Sequence, residues 1–190
     1  MQFTIFGDNY RQGSYILVIT VIETLSIVFG RFRNGMPLSV PAGKYLYIGT
    51  ALGSGTKASP LASRLLRHTA RSAGKPVHPV RKDLLDFFAL RNPECNARKH
   101  SHQDQKKLHW HVDYLLDRQE TSITGIVMIL SPLRIEQRLA ELIGSMPEVS
   151  IIAERLGAQD ASKGTHLLRI SNVHALYERM NHWIPPLISA

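Results

Sequence analysis

The chain has 190 residues, 44% of them apolar, and a formal net charge of +8, which suits one domain with a core of its own rather than several. A lone Cys95 excludes an intramolecular disulfide and any cysteine-cluster zinc site. The longest aliphatic run, residues 16–22, is interrupted by Thr20 and is too short to span a bilayer, and MQFTIFGDNYRQG at the N-terminus lacks a secretory pattern, so the expected compartment is the cytosol, with no membrane partner.

The location of the charge says more than its size. Residues 57–118 hold 13 Lys/Arg against 6 Asp/Glu, together with six of the nine histidines, while the rest of the chain is close to neutral. A neutral body with one strongly basic middle points to a polyanion, nucleic acid before membrane, because no basic amphipathic anchor is present.

In chain order, residues 14–22 (SYILVITVI) and 25–33 (LSIVFGRFR) are β-branched and apolar, and the two residues between them predict a hairpin. A Gly/Pro-rich connection leads to a third strand at 44–50, where YLYIGTALGSG runs straight from aromatic strand into glycines. Ser59-Pro60 reads as an N-cap and first helical position, with Gly74 as the stop. Inside that helix Arg64, Arg67, His68 and Arg71 recur at i, i+3, i+4 and i+7, a basic stripe that can track phosphates or simply face water.

A short helix is expected at 80–90, a mobile basic loop at 92–107, a helix at 108–116 (LHWHVDYLL) and a buried strand at 123–130. Ser131-Pro132 reads as the cap of a helix at 133–143, followed by a short strand at 165–170 and a closing helix at about 172–183. The resulting expectation is an α/β (α+β) protein, a small mainly antiparallel sheet flanked by helices, in a single domain over 1–190.

Two clusters could carry chemistry. His109, Trp110, His111 and Asp113 bring imidazoles and a carboxylate together, but on a helix only His109 and Asp113 share a face, which makes a poor metal site. A zinc-dependent hydrolase acting on small molecules through His109, His111 and Asp113 is one alternative. Glu136 opens a helix, where it suits the N-terminal dipole or, alternatively, a Mg²⁺ held by one carboxylate, waters and substrate phosphate.

Taken together, GSY at 13–15, YIG at 47–49, Arg64 and His68 four apart, and the helical Glu136 resemble the GIY-YIG nuclease superfamily, with GSY standing in place of GIY. The similarity is greatest to an uncharacterised branch carrying an HWH[IV]DYL motif: this sequence reads YIGTALG (47–53), RLLRH (64–68), HWHVDYL (109–115) and EQRLA (136–140). That branch ends in a cysteine-containing loop before Ser-His-Leu. Here the place reads GAQDASKGTHLLRI, which keeps His166 without a cysteine, and the loop around KAS before the helix is several residues longer.

The resemblance spans about residues 13–170. It implies a GIY-YIG-like sheet and a divalent-metal endonuclease hydrolysing phosphodiester bonds in DNA, branched or single-stranded DNA included. Tyr15 and Tyr47 would orient or deprotonate the attacking water, Arg64 would stabilise charge on the phosphate, His68 would contact phosphate or assist proton transfer, and Glu136 would hold one Mg²⁺ or Mn²⁺. Gly49, Arg67, Arg71, Lys106, Lys107, His109 and His111 complete the set as nucleic-acid contacts. The other alternative is a nucleic-acid-binding module that keeps the fold without turnover.

Overall fold

The computed structural model describes residues 2–53, 59–91, 106–157 and 165–189. In chain order these form β1 (Gln2–Gly7), β2 (Gly13–Val21), β3 (Leu25–Ile27), β4 (Leu38–Val40) and β5 (Gly43–Ala51), then α1 (Pro60–Thr69), α2 (Val80–Arg91) and α3 (His111–Leu116). After these come β6 (Thr121–Leu130), α4 (Glu136–Gly144), β7 (Val149–Ile151), β8 (Leu167–Ile170) and α5 (Val173–Ile188). The basic loop expected from residue 92 lies outside the described residues up to 105, as do residues 54–58 of the loop before α1.

Strand β2 is apolar at nearly every position because it is buried on both faces. Tyr15, Leu17 and Ile19 enter one core cluster with residues of α1, α2 and α3; Ile16 and Val18 enter a second with residues of α4 and α5. The main sheet runs β1-β6-β2-β5-β8-β7 and is antiparallel except for the β1–β6 pair. It is a mixed, mostly antiparallel sheet with helices on both faces. No helix among the described residues is long and apolar enough to cross a membrane.

The predicted hairpin between residues 14–22 and 25–33 does not form. β2 takes β5 and β6 as its two partners, while β3 shrinks to three residues and pairs with β4 in a separate two-stranded sheet. A strand buried on both faces needs a neighbour along each edge, and three residues cannot provide one over nine positions.

Helix α1 also ends earlier than its glycine suggested. Ser59 caps it, its side chain accepting from the Ala62 N–H at 3.4 Å. At the other end Ala70 turns extended (φ −85°, ψ 155°). Side chains from elsewhere satisfy the freed carbonyls: Arg81 donates to Leu66 O (2.6 Å) and Lys106 to Ala70 O (2.7 Å). Helix α4 begins at Glu136 rather than 133; Ser131 Oγ instead accepts the Leu133 N–H at 3.2 Å and closes a turn before it.

Candidate functional site

Strand register brings the site together. Ser14 pairs with Ile129 and Gly13 with Ala51, so the start of β2, the end of β6 and the end of β5 meet at one end of the sheet. Tyr15 and Tyr47 rise from the α1 face with ring centroids 6.3 Å apart, and His68 of α1 packs against both, 5.6 Å from each ring.

Tyr15 Oη lies 2.8 Å from His68 Nε2. On the other side of the imidazole, Nδ1 faces Asp113 Oδ1 at 3.6 Å, an ion-pair contact longer than a formed hydrogen bond. Tyr15, His68 and Asp113 are each fully buried. The three form a continuous polar chain through the core.

Asp113 is the anchor of that chain. Its Oδ2 accepts from the N–H groups of His109 (3.0 Å) and Trp110 (3.1 Å) and from Arg67 Nη2 (2.9 Å), and Lys106 Nζ stands 3.5 Å from Oδ1. These backbone bonds are half of a capping box, which explains why α3 starts at His111 and not at 108. Burial alone would raise the pKa of Asp113; contact with His68 and Lys106 and the His109 N–H outweighs it and holds the carboxyl well below the usual range. Asp113 is therefore ionised in the interior.

Burial lowers the pKa of His68, opposed by Asp113 and reinforced by Lys106 and Arg64, so the imidazole is neutral at neutral pH. Burial also pushes the Tyr15 phenol well above its usual value, with Tyr47, Glu136 and Asp113 adding to the rise and Arg64 opposing it. The charges of Arg64 and Glu136 thus both act on the Tyr15 phenol, although the apolar face of α4 packs in the opposite layer of the sheet. Glu136 is the first residue of α4, and it pairs with His166, before β8.

Above this chain lies a partly exposed, basic and aromatic rim. The guanidinium carbons of Arg64 and Arg67 lie 4.4 and 4.9 Å from the centroid of the half-buried Trp110 ring. Lys107 and His109 are exposed beside it.

Several expected contacts take other roles. Arg71 falls after the end of α1 and turns inward, 5% exposed, donating to the carbonyls of Leu116 (3.1 Å) and Thr121 (2.7 Å) and to that of Pro76. The basic stripe therefore stops at Arg67, since His68 is buried, and Arg71 is not placed to meet a phosphate. Lys106 is likewise buried on Ala70 and Asp113. His111 accepts the Gly157 N–H at Nδ1 (2.9 Å) and packs on Phe32, so it fastens the segment before β8 rather than facing outward. Gly49 sits opposite Tyr15 and makes room for its ring.

One residue left without a role by sequence reasoning joins the site. His166, at the approach to β8, places Nδ1 3.1 Å from Glu136 Oε1, with Nε2 buried and unpartnered. Among the described residues no group of three or more His, Cys, Asp or Glu could hold a metal ion. The His109, His111 and Asp113 side chains are committed in different directions, so these residues do not fit a zinc centre, which needs three or four convergent ligands. Glu136, with a side chain 21% exposed, fits the sparser manner in which Mg²⁺ binds, through one carboxylate with waters and a phosphate.

The fold and site define an α/β protein with a buried Tyr–His–Asp chain at one sheet end, beneath an Arg/Trp rim and beside a Glu–His pair. The chain belongs to the family described as Domain of unknown function DUF123, which it matches over residues 14–188. No curated protein and no solved structure matches it.

Proposed function

We propose that the protein is a divalent-metal-dependent phosphodiesterase acting on nucleic acid, DNA first, of the GIY-YIG type that its motifs resemble. The reading rests on one observation: the Tyr15 hydroxyl is hydrogen-bonded to a neutral His68 within electrostatic reach of both Arg64 and Glu136. These are a proton-handling pair, a cation for the non-bridging phosphate oxygens and a carboxylate for a hard cation.

Arg64 would bind the phosphate and offset charge developing on it, and Tyr47 would help orient the attacking water. Glu136, steadied by His166, would hold Mg²⁺ or Mn²⁺, which supplies stabilisation of the leaving oxygen when bound. Arg67, Lys107 and His109 would add sequence-independent affinity along the rim.

The complete burial of Tyr15 favours a second reading, a nucleic-acid-binding module without turnover. Incubation with plasmid, single-stranded, branched and flap DNA, with Mg²⁺ or Mn²⁺ and with EDTA, separates the two. Cutting that chelation abolishes supports the enzyme; DNA retention without cutting under every condition supports the module.

A further inference from the structure

We infer that Asp113 is a positioning residue for the Tyr15–His68 pair: it holds the His68 imidazole in the Nδ1–H tautomer, so that Nε2 accepts the proton of the Tyr15 hydroxyl. The inference deepens the proposed phosphodiesterase reading and rests on it for its catalytic consequence.

The geometry leaves little choice of tautomer. His68 Nδ1 and Asp113 Oδ1 are buried, face each other at 3.6 Å, and neither has a hydrogen bond elsewhere among the described residues. An ionised carboxylate can only accept, so the proton between them belongs to Nδ1. A neutral imidazole with a proton on Nδ1 has a lone pair on Nε2, and the Tyr15 hydroxyl at 2.8 Å is its donor. The phenol oxygen keeps its own lone pairs for another donor.

Asp113 is itself immobilised. Two backbone N–H groups and Arg67 fix Oδ2, leaving Oδ1 aimed at His68 and Lys106. The groups facing His68 are Tyr15 from β2, Tyr47 from β5, Asp113 from α3, Lys106 just before α3, and Arg64 on its own helix. Of these, Asp113 alone favours the imidazolium.

The arrangement resolves a difficulty in using Tyr15 as a base. A phenolate there is disfavoured by burial and by three neighbours that raise the phenol's pKa. With Nε2 as acceptor no phenolate need form. As the Tyr15 oxygen takes a proton from the attacking water, its own proton passes to His68 Nε2, and Asp113 stabilises the resulting imidazolium. The water oxygen bonds to phosphorus, the phosphorus–oxygen bond to the leaving group breaks, and that oxygen takes a proton from solvent.

The first test needs no variant. Two-bond ¹H–¹⁵N correlation on histidine-labelled protein at pH 7 should show His68 with Nδ1 protonated and Nε2 bare; a proton on Nε2, in either the neutral ring or the imidazolium, overturns the inference. The second uses Asp113→Asn. Its amide can donate to Nδ1 and so move the ring proton to Nε2; kcat should fall about 10²-fold or more with KM little changed. The acidic limb of the kcat profile should also move to lower pH, because the carboxylate that raised the proton affinity of His68 is gone. An unmoved limb with a folded variant assigns Asp113 a merely structural role. If Asp113→Asn does not fold, the tautomer of the parent decides. If the parent cuts no DNA, the phosphodiesterase reading fails, while the same spectrum still accepts or rejects the positioning role.

Discussion

Gly49 and Tyr15 face each other across the β2–β5 ladder so closely that a Cβ at position 49 would lie 2.5 Å from both Cζ and Oη of Tyr15. The glycine of YIG is therefore a seat for an aromatic ring, and the ring is held where His68 can reach its hydroxyl. Gly49→Ala must push that ring aside and break the 2.8 Å contact. Overpacking of this kind costs about 1–3 kcal/mol, which for a chain of this size is a fall in Tm of about 3–10 °C. A thermal melt of Gly49→Ala that matches the parent would show the ring to be less tightly seated.

Arg71 and Lys107 are both basic, and the structure gives them opposite roles. Arg71→Ala leaves the carbonyls of Leu116, Pro76 and Thr121 without their donor, a loss of roughly 2–4 kcal/mol in stability, with no change in the salt dependence of DNA binding. Lys107→Ala, at an exposed position, should leave Tm unchanged and flatten log K against log salt by about 0.9 if it neutralises one phosphate of a duplex. Anisotropy titrations between low and moderate salt, paired with melts, read both. A flattened slope with a normal melt for Arg71→Ala would contradict its placement.

These two residues mark where sequence reasoning succeeds and stops. Strands β2, β5 and β6 were legible because long apolar, β-branched or aromatic runs bury on both faces. The short edge strands β1 and β7 carry little such pattern, and the pairing of β2 depended on partners distant in sequence. The Arg/His stripe followed a helical period that was valid only to Thr69; past it, Ala70 turns extended and Arg71 points inward. Asp113 was visible as a neighbour of His109, yet its contact with His68 joins α3 to α1 and has no local signature. The Glu136–His166 pair has no local signature either, because it depends on how the approach to β8 meets the start of α4.

His78 makes a prediction about acid. It donates from Nε2 to Leu116 O (2.9 Å) and accepts the Ile123 N–H at Nδ1 (3.3 Å), uses that require the neutral ring. Burial first, then the charge of Arg71, pushes its pKa down to about 3, against about 6.5 in the unfolded chain. Between those values the unfolded state binds more protons, so stability is full above pH 6.5 and falls as pH drops, by about 2 kcal/mol at pH 5 from this residue alone. Burial lowers His68 and His111 as well, and they act in the same direction. Urea midpoints at pH 7.5, 6 and 5 should decline in step, and His78→Gln should be less stable at pH 7.5 with a shallower decline. An undiminished slope in His78→Gln would place the titration elsewhere.

Glu136→Gln tests the proposed reaction most directly. The amide keeps the size of the side chain and an oxygen for His166 Nδ1, now 3.1 Å from Oε1, but removes the charge that a hard divalent cation requires. Cleavage should fall by several orders of magnitude in Mg²⁺ and in Mn²⁺. DNA affinity measured in EDTA should hardly change, because phosphate contacts on the rim supply most of it. Stability should move little, since a partly exposed carboxylate at a helix start contributes about 0.3–1 kcal/mol. If Glu136 served only the helix terminus, the pattern would invert, with that small loss of stability and normal turnover. A variant that cuts at the parent rate therefore removes the metal from Glu136 and, with it, the single-carboxylate mechanism.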